Sequence, residues 1–445
     1  MKTAQLILTR PAGTLPSKLP DWSDLMGLYR LAGCAAVTHE AVTRPHRQRT
    51  LELMRACEQV VLIVHDSTEL DYTHVGALRE QLGQIGNGRG RGYLCHNSLA
   101  LTADGRVLGL AGQVLHRRRR VDKRETPTQK REHPQRESRL WRRGCEAIGA
   151  APAGRRWVDV CDRGADAYEF LEYEHAHGRH YVIRSARDRN LDGEDHVGSD
   201  RVHATLHGYA RDLPHLGERS VEVAARPRRG GKARVATVRV SAGAVSIKLP
   251  HFARGECTLG SLDLWVICVR ETDPPAGVDE PLEWILLSNL PADTFAQACE
   301  KIDFYAHRPV VEDYHKGMKS GVGIELLQLE QAERLEPVIG LLSVVAALLL
   351  QLRHAARQTD ADAAPATTLV PRLYVRVLSG HLHRLYGGPR DDLTVRQFLY
   401  GVARLGGHLG RKNDGPPGWI TLWRGWSDLH RMVEGAQAMR RQECV

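Results

Sequence analysis

The chain lacks the cysteine spacing that holds structural zinc. Its nine cysteines are scattered from Cys34 to Cys444, and no two of them form a Cys-x-x-Cys pair, which argues against a zinc ribbon or finger. An odd number of cysteines without a signal peptide is typical of reduced thiols in a cytosol. The sequence therefore predicts a cytoplasmic protein.

The chain also lacks a long hydrophobic run. The apolar part of the N-terminal stretch from Met1 to Arg10 is too short for an export signal. The longest apolar stretch, Val338 to Leu352, is too short to span a bilayer comfortably and has no flanking anchors. We predict that this stretch is a buried helix and that the protein has no membrane partner.

Acidic residues are in the minority. Lysine and arginine number 62 against 53 aspartates and glutamates, which gives a net charge of +9 with histidine neutral. A basic excess favours a polyanionic partner, although many basic proteins bind none. The densest basic segment runs from His116 to Arg139. It is either a solvated loop and helix face or a strip that contacts a DNA backbone.

The hydrophobic pattern predicts an α/β protein. Residues 1–55 have helical periodicity, whereas Val60 to Val64 is a β-branched run typical of a buried strand, which we expect to end at His65 to Thr68. The other predicted core elements are strands at 93–102, 106–115, 157–161, 180–184 and 282–287 and a helix at 165–175. This order, with hairpin strands before a helix and further strands, fits a ribonuclease-H-like core.

Composition divides the chain into five segments. Residues from about 190 to 285 alternate polar and apolar side chains and are broken by glycine and proline, which predicts a separate β-rich insertion. Residues 354–368 are typical of a linker because they are rich in alanine, aspartate, proline and threonine. The predicted segments are a helical N-terminal segment at 1–55, a first core part at 56–190, the β-rich insertion at 191–285, a second core part at 286–353, and a linker with a helical C-terminal segment at 354–445.

One short run, Tyr305 to Lys319, is unusual for a helix that packs a core. At about 100° per residue, four of its side chains would fall within about 60° of one helical face: Tyr305, Arg308, Glu312 and Lys319. A face with a carboxylate, two cations and a phenol suits the joint binding of a metal ion and a phosphate. Pro309 has no amide donor, so we expect the helix to begin or kink near Arg308.

Three acidic residues form a candidate metal site. Asp66 and Asp162 each follow a predicted buried strand, and Glu312 lies on the later helix. Each has an ordinary explanation alone, as a turn or cap aspartate or a surface glutamate. Together they are hard oxygen ligands of the kind that Mg²⁺ and Mn²⁺ favour. Two such ions about 4 Å apart can activate a water and stabilise a leaving oxygen in phosphodiester cleavage.

These motifs resemble those of a known family. The spacing Tyr-x2-Arg-x3-Glu-x6-Lys, with Val64 to Thr68 and Val160 to Asp166 in the expected order, is similar to the signature of bacterial insertion-sequence transposases with an Asp-Asp-Glu active site. The likeness is to the insertion-sequence-four-like subgroup, which includes the transposase of the kanamycin composite transposon. It extends from about residue 22 to the tryptophan-rich stretch near the C-terminus.

The resemblance implies an activity, a cofactor and partners. Asp66, Asp162 and Glu312 would be the catalytic metal ligands, holding two Mg²⁺ ions that Mn²⁺ could replace. In that family a nicked transposon end forms a DNA hairpin, which is reopened before its 3′-hydroxyl attacks target DNA. The resemblance therefore implies cut-and-paste transposition of an insertion sequence. It also implies double-stranded transposon ends and target DNA as partners, a homodimer on DNA, and a location at the bacterial nucleoid.

The resemblance further implies residues that contact phosphates. Arg308 and Lys319 would neutralise phosphates near the scissile bond, and Tyr305 would donate a hydrogen bond to one. Lys316 lies on the same predicted helical face and is a further candidate.

Four other residues keep two explanations each. Trp284 either stacks near a flipped base or belongs to the core of the β-rich insertion. Arg184 either contacts DNA or forms a structural ion pair. Asp166 and Asp313 either support the metal ligands from behind or lie on the surface.

The chain departs from the family at both ends. Only Lys2 to Arg10 could replace the arginine-containing helix that precedes the segment Trp22 to Leu31 in relatives, so we expect a shortened DNA-binding segment. The C-terminal segment differs from the family's long dimerising tail, so the resemblance predicts no particular dimer interface. A catalytically silent DNA-binding relic or inhibitor of transposition is therefore the alternative, and a nuclease of the same fold is a third reading.

Overall fold

The computed structural model describes residues 2–122, 124–193, 203–223, 234–275, 281–358, 360–411 and 414–443. The N-terminal part is helical, as the sequence predicts, with α1 (Lys2–Thr9), α2 (Leu15–Lys18), α3 (Trp22–Ala32) and α4 (His39–Ala56). The first core strands are β1 (Val61–Asp71), β2 (Gly83–Ile85), β3 (Gly90–Thr102) and β4 (Val107–His116). The turn at 103–105 joins β3 to β4, and Gly105 adopts a φ of +84° there.

The middle of the chain alternates between helices and strands. It contains α5 (Pro127–Glu132), α6 (Leu140–Ile148), β5 (Trp157–Cys161), α7 (Tyr168–Ala176), β6 (His180–Arg184) and α8 (Leu206–Asp212). The long strands β7 (His215–Val223), β8 (Arg234–Lys248), β9 (Ser261–Glu271) and β10 (Glu283–Ser288) follow. The remaining elements are α9 (Phe295–Ala306), α10 (Pro309–Lys316), a π-helical turn (Gly317–Gly321), α11 (Ala332–Ala355), α12 (Arg372–His381), α13 (His383–Tyr386), α14 (Val395–Leu405) and α15 (Trp419–Glu443).

These strands form one mixed ten-stranded sheet. Its order is β2-β3-β1-β5-β6-β10-β9-β8-β7, and β4 pairs with β3. β1 is antiparallel to β3 and parallel to β5, and β5 is parallel to β6. β10 then pairs antiparallel with both β6 and β9. The strands of the predicted β-rich insertion therefore extend the core sheet through backbone hydrogen bonds, instead of forming a sheet of their own.

The first strand is longer than predicted. We expected it to end at His65 to Thr68, but β1 continues to Asp71. β5 ends at Cys161, so β1 loses its partner on that side at His65. Pairing with β3 continues on the other side as far as Asp71 and Gly92. Asp66 consequently lies inside a strand, at the point where one of the two neighbouring strands stops.

The predicted apolar helix is buried, as expected. It is the central part of α11, which packs against α4, β4 and the π-helical turn. By length and composition α11 could also cross a membrane, but 67% of its most apolar window is buried inside the protein. Leu342, Val345, Ala346 and Leu350 are among its fully buried side chains. We therefore identify α11 as a core helix.

Candidate active site

Asp66 and Asp162 are brought together by the pairing of parallel strands. His65 of β1 is aligned with Cys161 of β5, so the residues that follow them, Asp66 and Asp162, come next to each other at the same edge. Both side chains are more buried than a surface carboxylate, with Asp66 13% and Asp162 32% exposed. Asp66, inside β1, and Asp162, directly after β5, are thus neighbours across two adjacent strands.

Glu312 reaches the same point from a helix. One helix ends and the next begins between α9 and α10, with Arg308 at the N-cap of α10 and Pro309 in its first turn. This confirms the predicted helix boundary. The four signature residues therefore do not share one continuous helical face, as the spacing alone suggested. Because proline cannot donate to the preceding turn, Tyr305 lies in the last turn of α9, whereas Glu312 belongs to α10.

Arg308 joins the three acids. Its Nη2 atom lies 2.8 Å from Asp66 Oδ2 and 3.5 Å from Asp162 Oδ2. Its Nη1 atom forms an ion pair with Glu312 Oε1. A single guanidinium, 15% exposed, thus contacts all three predicted metal ligands. The three carboxylates converge on one positive charge, as ligands of a cation would.

The electrostatics of this cluster favour a bound cation. Burial raises the pKa of Asp66 to about 6, and the neighbouring carboxylates of Asp162 and Glu312 act in the same direction, whereas Arg308 opposes them. Burial acts to lower the pKa of Arg308, but the three acids raise it above its usual value. Positive charge beside Asp66 therefore favours the ionised form of its carboxylate.

A hydrogen-bonded relay that the sequence analysis missed ends at His315, whose ring lies near Asp66. His39 Nε2 donates to Gln113 Oε1 at 2.8 Å, and Gln113 Nε2 donates to Asn97 Oδ1 at 2.7 Å. Asn97 Nδ2 then donates to His315 Nε2 at 3.0 Å, which leaves the proton of the neutral ring on Nδ1. That Nδ1 atom lies 3.8 Å from Asp66 Oδ2.

Burial keeps the imidazole of His315 neutral. It lowers the pKa of His315 to about 3, and the nearby charges of Arg308 and Lys319 act in the same direction. The only sequence signal for this role was the position of His315 three residues after Glu312. Asn97 and Gln113 gave no signal, because they meet only through the pairing of β3 with β4.

Trp284, Tyr305 and Arg184 form a second cluster beside the acids. The rings of Trp284 and Tyr305 meet edge to face, with centroids 5.2 Å apart. The Tyr305 phenol, which interacts with Arg184, is buried, and this burial raises its pKa. Arg184 Nη2 donates to the carbonyl oxygen of Glu283 at 2.8 Å. Trp284 is thus partly buried on β10, where it packs against both Tyr305 and the main apolar core.

Lys319 lies apart from the three acids. It belongs to the π-helical turn, and its Nζ atom pairs with Glu325 Oε1 at 3.2 Å. Its charge nevertheless acts on His315 and on Glu69 of β1, so it borders the cluster. Lys316, the further candidate, is exposed on α10.

Asp166 has a structural role. It is 3% exposed, and its Oδ1 atom pairs with Arg189 at 2.5 Å. Its Oδ2 atom accepts hydrogen bonds from the backbone amides of Ala186 and Arg187 at 2.7 and 2.9 Å. The carboxylate therefore fixes the chain after β6 instead of facing the metal ligands.

A buried polar cluster lies on the opposite face of β1. His65 Nε2 is 2.8 Å from Asp159 Oδ1, and Ser98 Oγ is 3.0 Å from His65 Nδ1. Arg179 donates two hydrogen bonds to Asp159, and Cys145 Sγ lies 3.9 Å from His65 Nε2. The spacing of His65, Cys145 and Asp159 would admit a metal ion, but the imidazole and carboxylate atoms already bind each other, Ser98 and Arg179. We identify the cluster as a structural link between β1, β3, β5 and β6.

Part of the basic segment is paired with acidic side chains. Arg118 pairs with Glu69 at 2.7 Å and with Glu137 at 2.6 Å. Other pairs in the described part of this segment are Arg117 with Glu336, Arg119 with Glu125, Arg136 with Glu169 and Glu256, and Arg139 with Glu256. These pairs give five arginines of the segment a structural role, whereas Arg120, Arg124 and Lys130 are exposed.

The C-terminal part of the chain matches a known family. Residues 389–444 match the family model described as Transposase Tn5 dimerisation domain. The match supports a transposase of the Tn5 type, and it supports the formation of homodimers. Our expectation that the C-terminal segment differs from the family's dimerising tail is therefore wrong. The tryptophan-rich stretch near the C-terminus belongs to the first turns of α15, where Trp419 and Trp423 are buried.

Proposed function

We propose that the protein is a DNA transposase of the insertion-sequence-four-like group, in which Asp66, Asp162 and Glu312 hold divalent metal ions. The observation that carries this proposal is the convergence of these three acids on the Arg308 guanidinium. A transposase dimerisation domain at residues 389–444 supports it independently. The strand order, with an antiparallel hairpin beside two parallel strands, supports a ribonuclease-H-like core.

The donor set fits Mg²⁺ or Mn²⁺. Carboxylate oxygens are the ligands that these ions prefer, and the site already accommodates one positive charge. When bound, a pair of ions would supply an activated water or 3′-hydroxyl and would stabilise the leaving oxygen. The carboxylates would hold the ions, and Arg308, with Tyr305 and Lys319 nearby, would neutralise the DNA phosphates.

The proposed reaction is cut-and-paste transposition by strand nicking, hairpin formation and strand transfer. Trp284, packed on Tyr305 beside the acids, would stack on a base displaced from the hairpin. A homodimer would hold the two transposon ends together. The protein would act on the bacterial chromosome in the cytoplasm.

The test is a DNA cleavage assay. The DNA that flanks the gene is searched for inverted repeats, and these repeats serve as the transposon-end substrate. We expect nicks, hairpins and joined products in Mg²⁺ or Mn²⁺. Glu312→Gln, which keeps the side-chain volume and removes the charge, should lower the cleavage rate at least about a hundredfold, because a metal ligand is lost, while DNA binding is kept.

Each other outcome of the assay supports a different function. Binding of the end DNA without cleavage in either metal would support the silent relic or inhibitor of transposition. Nicking without joining would support a nuclease. Cleavage that survives Glu312→Gln would contradict the assignment of the metal ligands.

A further inference from the structure

Asp313, the residue after Glu312 on α10, attaches this helix to its neighbours. Asp313 of α10 directs its carboxylate away from the three acids and towards two other helices. Its Oδ2 atom pairs with Arg353 of α11 and lies 3.1 Å from His354 Nε2. Its Oδ1 atom accepts a hydrogen bond of 2.7 Å from Trp419 Nε1 of α15. One carboxylate therefore joins three helices, and both of its oxygens are used.

α15 also packs against the π-helical turn that follows α10, at two glycines. A Cβ atom at Gly317 would lie 2.8 Å from Trp419 Cη2, and one at Gly321 would lie 2.6 Å from Trp423 Nε1. The two indole rings are neighbours, with centroids 4.9 Å apart. Only glycine permits this approach of backbone to ring. Single π-helical turns frequently occur at functional sites, and α15 packs directly against this one.

The charges around Asp313 strengthen this contact. Burial acts to raise the pKa of Asp313, but the hydrogen bonds from His354 and Trp419 and the charge of Arg353 lower it well below its usual range. The Arg353 guanidinium also lies 5.0 Å from the centre of the Trp419 ring, within the range of a cation–π interaction. The carboxylate of Asp313 thus holds α11 and α15 at the same point of α10.

We propose that α15 positions Glu312 through Asp313, so that the segment matching the dimerisation domain controls metal binding. Glu312 and Asp313 point about 100° apart on one helix, so a displacement of α10 at Asp313 moves Glu312 as well. Asp66, its partner across the site, is fixed in the sheet. The inference rests on the proposed function and makes Asp313 a positioning residue for the metal ligand Glu312.

The test removes one hydrogen bond and keeps the ring. Trp419→Phe loses the Nε1 donor but retains an aromatic side chain against Gly317. We expect Mn²⁺ affinity of the free protein, measured by titration calorimetry, to fall about tenfold, the lower end of the effect seen when a residue behind a metal ligand is changed. The Mn²⁺ concentration for half-maximal DNA cleavage should rise by the same factor, with little change in rate at saturating metal.

The control is a second tryptophan of the same helix. Trp426 Nε1 donates to the carbonyl oxygen of Leu8 at 2.9 Å, so Trp426→Phe loses an equivalent hydrogen bond away from α10. Its Mn²⁺ affinity should equal that of the wild type. Both variants should elute from size-exclusion chromatography at the wild-type volume.

Equal Mn²⁺ affinity in folded Trp419→Phe and wild type would overturn the inference. If Trp419→Phe does not fold, Asp313→Asn takes its place. It keeps an acceptor for Trp419 but loses the ion pair with Arg353, and it too should weaken Mn²⁺ binding with little change in saturated rate. A wild-type protein that binds no Mn²⁺ and cleaves no DNA would refute the proposed function itself, and the inference with it.

Discussion

Arg308 holds together three carboxylates that would otherwise repel one another. It reaches them because Pro309 starts a new helix directly after it, which turns the guanidinium towards the strand ends. A buried positive charge in this position does in the metal-free protein what a bound metal ion would do, namely balance the acids. Arginine and metal are therefore expected to compete for Asp66, Asp162 and Glu312.

Arg308→Met tests this competition. The variant keeps an unbranched apolar stem but leaves the acids unbalanced, so it should unfold at a lower temperature than the wild type, with a loss of ~3 kcal/mol as for other broken buried pairs. Added Mn²⁺ should raise its melting temperature more than that of the wild type, because the ion replaces the missing charge. Thermal unfolding with and without Mn²⁺ measures both effects.

Arg396→Met is the matched control, since it removes an exposed ion pair with Asp362, worth at most ~1 kcal/mol. The same Mn²⁺-induced increase in melting temperature in wild type and Arg308→Met would contradict the competition.

The residue types of the site could be predicted, but their connections could not. Asp66 and Asp162 follow local apolar runs, and Pro309 marks its own helix boundary, so the sequence alone located them. Asn97 and His315 meet only because β1 aligns with β3 and α10 lies above them. The register of distant strands is set by the whole sheet, so no local pattern could have revealed the relay.

At the scale of elements, α4 is attached to β4 at an irregular point of the sheet. The pairing of β3 with β4 shifts between Ser98 and Leu99, which leaves Ala111 as an extra residue. His46 of α4 accepts a hydrogen bond of 3.1 Å from the backbone amide of Leu110. Gly109 allows the approach, because its φ is +147° and a Cβ atom there would lie 2.3 Å from Thr50 Oγ1.

This contact predicts a loss of stability in mild acid. Burial lowers the pKa of His46 from 6.5 to about 4, so between these values the unfolded chain binds a proton that the folded protein does not. The stabilisation is complete above pH 6.5 and is lost as the pH falls towards 4. At pH 5 the loss is about 2 kcal/mol.

Urea denaturation at pH 7 and pH 5 measures this difference. His46→Gln, which offers a neutral acceptor to Leu110, should make this difference about 2 kcal/mol smaller, while the part due to other buried histidines such as His315 remains. An unchanged difference between the two pH values in His46→Gln would exclude His46 as its source.

The same scale explains which elements were predicted well. The helices at the N-terminus and the strands at 93–102 and 157–161 have strong periodicity and clear turns. The sequence predicted that the insertion is rich in β-strands, but it did not predict that these strands join the core sheet. Alternation along a strand does not say which strand lies beside it. β10 pairs with the core strand β6, and this pairing joins the insertion to the core sheet.

At the scale of the whole molecule, the C-terminal helix is part of the core. Trp426 of α15 binds α1, and Tyr374 of α12 stacks on the Trp426 ring at 5.5 Å. Several apolar side chains of α15 are at most 7% exposed: Trp419, Leu422, Trp423, Leu429 and Val433. They belong to the same cluster as the interior of α11. The segment that matches a dimerisation domain therefore also completes the fold of its own protomer.

Removal of residues 389–445 should therefore unfold the protein instead of giving an active monomer. Each large buried side chain contributes roughly 1.5–3 kcal/mol, so losing five of them approaches or exceeds the ~5–15 kcal/mol of a typical folded domain. Circular dichroism and size-exclusion chromatography should show aggregated or partly folded material. Ile420→Ser, at a position 56% exposed on the same helix, should retain the wild-type melting temperature. A truncated chain that melts cooperatively near the wild-type temperature would show that α15 is dispensable for folding.

The single continuous sheet has a consequence for any DNA that the protein handles. Trp284 on β10 is separated from Asp162 by one strand, β6, a lateral span of roughly 10 Å set by two backbone spacings. A hydrogen-bonded sheet changes such a span far less than a hinge or a loop would. The lateral distance between the two positions is therefore set by the sheet. A nucleic acid that engages both positions would therefore have to match that interval.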